Sequence, residues 1–421
     1  MKKVLIITYY WPPGSGAGVQ RWLKFARYLP EYGWEPVILT VDPEYAAYPA
    51  LDNSLEKDLP EGIKVHRTKA TDWFRIYSRD KSKVPSAGFA KSHDNSFREK
   101  VLRFIRGNFF IPDPRRGWNR YACDKAIEII ESEKISHIIT TSPPHSTQLI
   151  GLKLKKKFPE IQWIADLRDP WTDIYYYKQF YPTFISKMID KSFEIEVLKS
   201  SVKIITVGKS LKDLFVSKVP EIESKIEVIT NGYDEDDFKD AINVEPEKFT
   251  ISYIGTLSES YPVEGLLSAL EKLQNEGKDF LFRLVGTVSL VQKEKILKII
   301  DIKRVQFIPY VNHNEAINFM MSSSVLLLII PDHHSNRSIL TGKLFEYLAS
   351  GKPILCLGPV DGDAAAIISD SGAGKTFAYN DSNSNAAYLM ELLNVKQNLP
   401  DNKIKKFSRK ELTRQLTSIL K

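Results

Sequence analysis

The sequence predicts an α/β protein made of two Rossmann-like, doubly wound domains. Three observations support this prediction. The 421 residues match the length of two or three domains. Short apolar, β-branched runs alternate with longer amphipathic stretches, a pattern typical of parallel strands joined by helices. The alternation runs through both halves of the chain, and one sheet holding every candidate strand would be unusually large.

The candidate strands are nearly continuous apolar runs, which indicates parallel sheets that are covered on both faces. In order they are Lys3–Thr8, Glu35–Thr40, His137–Thr141, Gln162–Ala165, Lys203–Val207, Phe249–Ile254, Phe280–Val285, Arg304–Phe307, Ser324–Ile330 and Pro353–Leu357. The candidate helices between and after them are Val19–Pro30, Cys123–Glu133, Pro262–Glu276, Thr341–Ser350 and Ser408–Lys421.

The domain boundary is predicted at Asp234–Lys248, an acidic stretch without strand periodicity that directly precedes a new strand. This division gives an N-terminal domain over residues 1–234, a C-terminal domain over 249–402 and a final helical segment over 403–421.

Composition excludes several classes of protein. The two cysteines, Cys123 and Cys356, cannot supply a disulfide framework or a CxxC metal site. The first apolar run ends in Trp11, Pro12 and Pro13 without a cleavage site, which indicates a strand and not a signal peptide. The longest later apolar run is Val325–Pro331, too short to span a bilayer. The expectation is a cytoplasmic protein.

The formal charge of +7 permits an anionic partner and is partly concentrated in one insertion, residues 71–119. Seven basic and two acidic residues lie between Phe97 and Arg120. Phe97, Val101 and Phe104 fall on one helical face beside these charges. One interpretation is peripheral contact with an anionic membrane through residues 97–120. The other is an insertion that packs on its own domain with a solvated basic rim.

A glycine-rich loop, Gly14–Arg21, follows the first strand and leads into a helix. The N–H groups of such a turn form a generic anion site. The dinucleotide fingerprint Gly-x-Gly-x-x-Gly/Ala fails, since Val19 or Arg21 occupies its third position. The alternative is a tight turn whose glycines only permit close packing. A second glycine run, Gly372–Thr376, imitates a phosphate-binding loop but precedes a strand-like stretch and is interpreted as a turn.

Charged and polar side chains follow two central strands of the first half. Asp166, Arg168 and Asp169 follow one strand, and His145 follows another. Ligands of parallel α/β sheets bind beyond the carboxyl ends of strands, so sugar-hydroxyl binding or charge control is favoured for this cluster, in which Asp166 and Asp169 flank Arg168. The alternative is an internal Asp–Arg pair that caps the next helix. His145 could hydrogen-bond a ligand or be an ordinary loop histidine.

A third cluster opens a predicted helix in the second half. Thr341 and Gly342 precede helix N–H groups that could hold a diphosphate. Lys343 lies in the first turn, where a cation is unfavourable unless an anion is bound. Glu346 could accept hydrogen bonds from ribose hydroxyls. An ordinary capped helix would explain Gly351 after its end but not this opening.

Together these segments resemble glycosyltransferase family 4, retaining enzymes of the GT-B architecture, and most nearly its bacterial members that build cell-surface polysaccharides. The resemblance rests on the loop Gly14–Arg21, the run WIADLRDPW at 163–171, VITNGY at 228–233 and KLFEYLASGKPI at 343–354. It implies two Rossmann-like domains facing a cleft, with the acceptor site in the first and the donor site in the second. It also implies that the final helix crosses back to the N-terminal domain.

The resemblance assigns roles residue by residue. The implied catalytic residues are Asp169 and Arg168. The implied donor-binding residues are Gly255, Thr256, Ser338, Thr341, Gly342, Lys343, Leu344 and Glu346. The implied acceptor-binding residues are Gly16, Ala17, Gly18, Arg21 and His145.

The chain departs from the family pattern at three places. Ser338 stands where the first of two family glutamates is expected, and Glu346 matches the second. Gly255–Glu259 lacks the basic pair that many members carry, so the diphosphate charge must be neutralised elsewhere. Arg168 stands where relatives often have histidine.

The resulting hypothesis is a hexosyltransferase-type enzyme that moves a sugar from a nucleotide-diphosphate sugar to a glycan or lipid-linked acceptor, with retention, in surface polysaccharide synthesis. The nucleotide sugar is a co-substrate, and no cofactor, metal or nucleic acid is expected. Two alternatives remain open: a sugar-nucleotide epimerase of the same architecture, and a non-catalytic homologue that binds nucleotide sugars or glycans.

Overall fold

The computed structural model describes residues 1–48, 51–60, 62–71, 73, 97–241, 244–394 and 401–421. The chain forms two compact units. Unit 1 comprises Met1–Thr230 together with Leu412–Lys421, and unit 2 comprises Asn231–Glu411. Each unit contains a parallel sheet with helices packed on it.

The strands of unit 1 are β1 Lys2–Ile7, β2 Trp34–Val41, β3 Lys64–Thr68, β4 His137–Ser142, β5 Gln162–Leu167, β6 Lys203–Thr206 and β7 Ile226–Val228. Its helices are α1 Ala17–Tyr28, α2 Phe97–Phe109, α3 Asn119–Glu133, α4 Gln148–Lys157, α5 Phe184–Ser200 and α6 Lys209–Lys218. Short 3-10 turns include Pro114–Trp118, His145–Thr147 and Tyr177–Phe180.

The sheet of unit 1 has the order β3-β2-β1-β4-β5-β6-β7, and all of these neighbouring pairs are parallel. The central strand β1 reads KKVLII and is buried from its third residue onward, because helices cover both of its faces. The strand order reverses between β1 and β4. In open α/β sheets this reversal leaves a crevice at the carboxyl ends of the two strands, where ligands bind.

The strands of unit 2 are β8 Phe249–Ile254, β9 Phe280–Val285, β10 Val305–Ile308, β11 Val325–Ile329, β12 Ile354–Leu357 and β13 Gly374–Phe377. Its helices are α7 Glu264–Asn275, α8 Leu290–Ile299, α9 His313–Met321, α10 Gly342–Ala349, α11 Asp363–Ser371, α12 Ser382–Asn394 and α13 Asp401–Ile404. The last helix, α14 Arg409–Ile419, begins in unit 2 and continues into the residues of unit 1.

The sheet of unit 2 has the order β10-β9-β8-β11-β12-β13, again with parallel neighbours. Alternate residues of β11 point to opposite faces. Val325, Leu327 and Ile329 join one apolar core, and Leu326 and Leu328 join the other. The strand order reverses between β8 and β11, which places the expected ligand crevice beyond Ile254 and Ile329.

The predicted α/β class with two Rossmann-like units is confirmed, and all ten predicted strands are present within one or two residues of their predicted ends. Three strands, β3, β7 and β13, were not predicted from the sequence. Each lies at a sheet edge or is very short. β3 reads KVHRT and contains no fully buried residue, so it lacks the apolar run that identifies the central strands.

The five predicted helices are also present, as α1, α3, α7, α10 and α14. The glycine run Gly372–Thr376 is a turn into β13, as interpreted: Gly372 ends α11 with φ of +68° and the strand begins at Gly374. The amphipathic stretch after Phe97 forms α2, while residues 74–96 of the predicted insertion lie outside the described part. None of the described helices combines the length and apolar character needed to span a membrane.

Candidate functional site

In unit 2, two glycine loops meet at the carboxyl ends of β8 and β9. Gly255 and Gly286 have φ of +128° and +115°, a region that side chains rarely adopt. A Cβ added to Gly286 would lie 2.5 Å from the Gly255 carbonyl oxygen. Both positions therefore require glycine, and the two loops leave exposed backbone at the edge where a ligand is expected.

Lys343, in the first turn of α10, reaches back to this loop. Its Nζ lies 3.0 Å from the Tyr253 hydroxyl and 4.4 Å from the centre of the same ring. A Cβ on Gly255 would lie 3.0 Å from this Nζ. Burial lowers the pKa of Lys343 to about 8. Among the described residues no carboxylate lies within ion-pair distance of it, so a ligand could supply the opposing charge.

The start of α10 also presents a polar side chain that has no hydrogen-bond partner among the described residues. Thr341 is the N-cap residue, yet its side chain makes no capping hydrogen bond, and its buried Oγ1 has no partner among the described residues. Uncapped N–H groups at a helix N-terminus attract anions. Gly342 leaves open space beside this end, since a Cβ there would meet nothing within 4 Å.

Glu346 lies one turn after Lys343. Burial raises the pKa of its carboxyl, and the His313 and Lys343 charges oppose this increase. A partly buried carboxyl beside a backbone-rich crevice can accept hydrogen bonds from paired hydroxyls. Lys343 and Glu346 therefore combine a cation and an acceptor at one helix end.

Three other residues that were predicted to bind the donor have side chains or backbone groups engaged within the protein. Ser338 Oγ donates to the Ser335 carbonyl within a 3-10 turn. The Thr256 carbonyl accepts from the Tyr253 hydroxyl, 2.8 Å away. The Leu344 side chain is fully buried in the apolar core, so only its backbone could contact a ligand.

In unit 1, the charged residues at the end of β5 have different surroundings: Asp166 is held in buried hydrogen bonds, whereas no described residue donates a hydrogen bond to Asp169. Asp166 is buried and accepts hydrogen bonds from Arg21, Trp22 and Thr141 at 2.7–3.1 Å. The same Arg21 guanidinium donates to the carbonyls of Ile229 and Thr230 after β7. Arg21 is only 1% exposed. Its hydrogen bonds thus link α1, β5 and the end of β7, and its predicted acceptor contact remains a prediction.

Arg168 and Asp169 lie at the surface side of this network. Arg168 donates from Nε to the Ser142 carbonyl, 2.9 Å away, and lies 3.9 Å from Asp166. Burial raises the pKa of Asp169, and the charge of Arg168 opposes the increase. No hydrogen bond from a described residue reaches the Asp169 carboxylate. Unlike Asp166, it is available to a ligand.

The predicted glycine loop adopts the geometry that its glycines permit. Gly16 precedes α1 and has a φ of +100°. A Cβ added to it would meet no atom within 4 Å. Ala17 is the first residue of α1. A Cβ on Gly18 would lie 3.2 Å from the Tyr10 ring, and the Gly18 carbonyl accepts from Arg168 at 3.4 Å. The loop therefore lies against both the first strand and the Arg168 segment.

His145 contributes to a pocket within unit 1. The pocket is lined by aromatic rings, prolines and a few charged groups: Tyr10, Arg106, Gly107, Ile111, Pro112, Asp113, Arg115, Pro143, Pro144, His145, Trp171, Ile174, Tyr176, Tyr177, Phe180, Pro182 and Asp190. Its deep end lies beyond β1, β4 and β5, where the switch in strand order predicts a crevice.

Burial shifts the pKa values of two polar groups in this pocket, His145 and Asp190. The His145 ring stacks on Trp171 at 4.9 Å, and its two buried nitrogens have no partner among the described residues. Burial lowers the pKa of His145 to about 3. Trp171 donates to Asp190 at 2.7 Å, and burial raises the pKa of Asp190 to about 6. A pocket of rings and few charges suits a hydroxyl-rich ligand.

The sequence analysis missed most of this pocket. Asp190, Tyr176, Tyr177 and Arg106 come from separate segments that no local motif connects. A partial signal existed in α5, where Ser186, Asp190 and Glu194 repeat every four residues and so share one helical face. The described residues contain no group of three or more His, Cys, Asp or Glu that could hold a metal ion.

Comparison with known proteins gives a family match for one unit and structural similarity over the whole chain. Residues 248–395, most of unit 2, match the family model of the glycosyl transferases group 1. Sucrose-phosphate synthase from Thermosynechococcus elongatus is similar in structure, with a TM-score of 0.63 at 13% identity over 100% of this chain and 98% of that one.

Two further solved structures are similar over 100% of this chain and 99% of their own. HepE of Anabaena, solved with UDP, has a TM-score of 0.61 at 12% identity. A glycosyltransferase from Rickettsia africae has a TM-score of 0.59 at 16% identity. No curated protein matches the sequence.

Proposed function

We propose that the protein is a glycosyltransferase, because it has the GT-B fold and its residues 248–395 match the family model of the glycosyl transferases group 1. It moves a sugar from a nucleotide-diphosphate sugar to a glycan or lipid-linked acceptor in the synthesis of a surface polysaccharide. The observation that carries the proposal is the start of α10, where no described carboxylate lies within ion-pair distance of Lys343 and the helix end is uncapped.

The donor would bind at this helix end in unit 2. Its diphosphate would accept hydrogen bonds from the N–H groups after Thr341 and from the Lys343 ammonium, which replaces the basic pair that many family members carry. Its ribose hydroxyls would donate to Glu346. The loops at Gly255 and Gly286 would allow the nucleotide to approach the backbone closely. UDP bound to HepE, a protein of similar fold, is consistent with a nucleotide donor.

Departure of the nucleoside diphosphate is the difficult step, because negative charge develops on the leaving oxygen. Lys343 and the α10 N–H groups are already oriented in the free protein and would stabilise this charge. Retention through a front-face attack, in which the leaving phosphate accepts the acceptor's proton, needs no separate base. Arg168 and Asp169 are the proposed catalytic side chains, since the Asp169 carboxylate accepts no hydrogen bond from the part of the chain that the structure describes.

The acceptor would bind unit 1 along the loop Gly16–Gly18 and in the pocket that contains His145. A neutral imidazole stacked on Trp171 can accept or donate a hydrogen bond to a sugar hydroxyl without adding charge. Residues 97–120 would make a peripheral contact with the cytoplasmic face of an anionic membrane, where a lipid-linked acceptor is available.

A thermal-shift panel of nucleotide sugars tests the donor site. A ligand at 100 times its dissociation constant adds about 2.7 kcal/mol of stability. We expect a shift with at least one nucleotide sugar, and its loss in Glu346→Ala. Glu294→Ala, an exposed position on α8, is the matched control and should keep the shift. If no nucleotide sugar stabilises the protein, the proposed function is wrong.

The same panel separates the two alternatives. With the bound donor identified, an epimerase would convert it without any acceptor, and a non-catalytic homologue would leave it unchanged in the presence of membranes and glycans. A transferase releases nucleoside diphosphate only as the sugar moves. Measuring the released nucleotide and the sugar product together distinguishes the three outcomes.

A further inference from the structure

The first half of α5 has its polar and apolar faces reversed. Ser186, Asp190 and Glu194 point inward and are 0–4% exposed. The apolar residues point outward: the exposed fractions of Phe184, Ile185, Met188 and Ile189 are 76%, 69%, 56% and 41%. A surface helix normally buries its apolar face, so this arrangement implies an apolar environment outside the protein.

Specific buried hydrogen bonds hold this orientation of α5. Ser186 donates to Asn108 at 2.8 Å, and Asp190 accepts from Trp171 at 2.7 Å. Glu194 accepts from Lys218 at 2.7 Å. Rotating the helix to bury its apolar residues would break all three contacts and leave buried polar groups unpaired, which is costly. The outward apolar face is therefore a fixed property of the fold.

Helix α2 is joined to the start of α5 and is also apolar on its outer side. Asn108 accepts from the Thr183 N–H at 2.7 Å and donates to the Tyr181 carbonyl at 3.1 Å. Gly107 packs so closely that an added Cβ would lie 2.2 Å from the Phe180 carbonyl oxygen. No residue of α2 is buried. Its most exposed apolar residues are Phe97 at 83%, Phe109 at 73%, Phe104 at 41% and Val101 at 39%.

The exposed apolar residues of the two helices define the α2–α5 surface: Phe97, Val101, Phe104, Phe109, Phe184, Ile185, Met188 and Ile189. Basic side chains lie on the same two helices. Helix α2 carries four basic residues and one acidic residue, and Lys187 and Lys191 are exposed on α5 beside the buried Asp190. Phenylalanine and isoleucine combined with lysine and arginine are the composition of a surface that sits on anionic lipid.

The aromatic pocket of unit 1 is lined in part by residues of the same two helices. Arg106 and Gly107 of α2, Pro182 before α5 and Asp190 of α5 line one side of the pocket. Tyr10, His145 and Trp171 line the other, at the carboxyl edge of the sheet. A molecule entering beside the α2–α5 junction would therefore pass from apolar surface to ring-lined pocket to sheet edge.

We propose that the α2–α5 surface inserts its apolar side chains into an anionic membrane and that the acceptor is a glycan carried on a lipid. The glycan occupies the pocket through the opening beside α2 and α5, while the hydrocarbon remains in the bilayer. This inference rests on the proposed glycosyl transfer and deepens it, because it names the acceptor class and the direction from which the acceptor arrives.

Insertion can be measured with a single fluorescent label. The native cysteines are buried, Cys123 at 7% and Cys356 at 0% exposure, so an introduced thiol is selectively labelled. We expect a polarity-sensitive dye at Ile185→Cys to shift to the blue with vesicles of phosphatidylcholine and phosphatidylglycerol. The same dye at Leu290→Cys, on α8 of unit 2 and 76% exposed, should not shift. No shift at either position would overturn the proposal.

Substitution separates insertion from charge attraction. The double variant Phe184→Ser and Ile185→Ser should lose at least tenfold in affinity for the same vesicles, because two exposed apolar side chains leave the bilayer. The control variant Leu290→Ser and Ile302→Ser removes apolar residues that are 76% and 61% exposed and should bind normally. Equal losses in both variants would contradict a specific surface.

The acceptor class is tested with membranes of the source organism and a radiolabelled form of the nucleotide sugar identified by thermal shift. The product should extract into chloroform–methanol, and the Phe184 and Ile185 double variant should form several-fold less of it while keeping its thermal shift with the donor. Product found only in water would overturn the lipid-linked acceptor. A protein that binds vesicles but no nucleotide sugar would instead contradict the proposed function.

Discussion

Two charge clusters look similar in the sequence but differ in the folded protein. After β5, Asp166 accepts from Arg21, and both side chains are almost completely buried. At the start of α10, Lys343 contacts a neutral hydroxyl and ring, and no described carboxylate pairs with it. The Arg21–Asp166 pair satisfies its charges within unit 1, whereas the start of α10 leaves a cation for a ligand. A charged motif at an element end is therefore a binding site only if the fold leaves its charge unpaired.

The largest expected effect is on stability, in Arg21→Met. Removing one partner of a buried ion pair costs about 3–5 kcal/mol, because Asp166 would remain buried with fewer donors. Urea unfolding of the free protein measures this loss. Arg27→Met on the same helix is the control: Arg27 is 33% exposed and lies 3.8 Å from Asp58, so its removal should cost less than about 1 kcal/mol. A stable Arg21→Met that fails only in transfer would assign Arg21 to acceptor binding.

Lys343→Met should produce the opposite pattern. Donor affinity should fall roughly 10- to 100-fold, because a hydrogen bond to a charged group contributes about 1.5–3 kcal/mol. Folding should not suffer, since burial already disfavours the ammonium. Isothermal titration with the identified donor measures the loss. Lys375→Ala, which removes an exposed partner of Glu391, should bind normally.

The pH dependence of Lys343 gives an independent check. Its folded pKa is lowered to about 8, so its charged form is disfavoured in the folded state. The wild-type protein should therefore gain stability relative to Lys343→Met as pH rises from 8 towards 10.5, the ordinary lysine value. Donor affinity should fall over the same range, because the neutral amine no longer attracts the diphosphate. If donor affinity depends on pH in the same way in the two proteins, Lys343 does not contribute its charge to the donor site.

Asp190→Asn extends the comparison to the pocket. The folded pKa of Asp190 is raised to about 6, so its ionised form opposes folding at neutral pH. The variant, which keeps an acceptor for Trp171, should be more stable by about 1–2 kcal/mol at pH 8. This difference should shrink as pH falls from 6 to 4, because over this range the wild-type carboxyl takes up its proton in the folded state while it stays largely ionised in the unfolded state. Thermal unfolding across that range measures it. A constant difference would mean that burial does not control this carboxyl.

The smallest effect is expected in Gly342→Ala. Gly342 has open space around it and lies in a helix, so alanine should stabilise by about 0.5–1 kcal/mol. Gly286→Ala should destabilise, because its Cβ would meet the Gly255 carbonyl. Thermal unfolding of the two variants compares them directly. Destabilisation by both would mean that the start of α10 is more tightly packed than its geometry indicates.

The sequence predicted the parts of the fold that depend on local patterns. Central strands such as β1 and β8 are buried on both faces, and this burial selects continuous apolar runs. β3 has one neighbour and no fully buried residue, so nothing in KVHRT distinguishes it from a loop. The sequence also did not indicate that the first half of α5 exposes its apolar residues, because a surface helix normally buries that face.

The same distinction applies to the sites. Thr341, Gly342, Lys343 and Glu346 lie within six consecutive positions, so one motif identifies them. The pocket instead combines Tyr10, Arg106, His145, Trp171 and Asp190 from five distant segments, and only the fold brings them together. His145 was singled out because it follows a strand end, yet its stacking partner and its buried nitrogens depend on tertiary packing.

The final ten residues have a consequence for how the protein is made. Leu412, Leu416 and Leu420 complete the apolar core of unit 1, whose other residues precede position 231. During synthesis the ribosome therefore releases most of unit 1 long before its core is complete, and the whole of unit 2 is translated in the interval. Unit 1 must remain incomplete, with the site for these leucines open, until Leu412–Leu420 have been translated. A nascent chain truncated after Glu411 should be the species that chaperones retain.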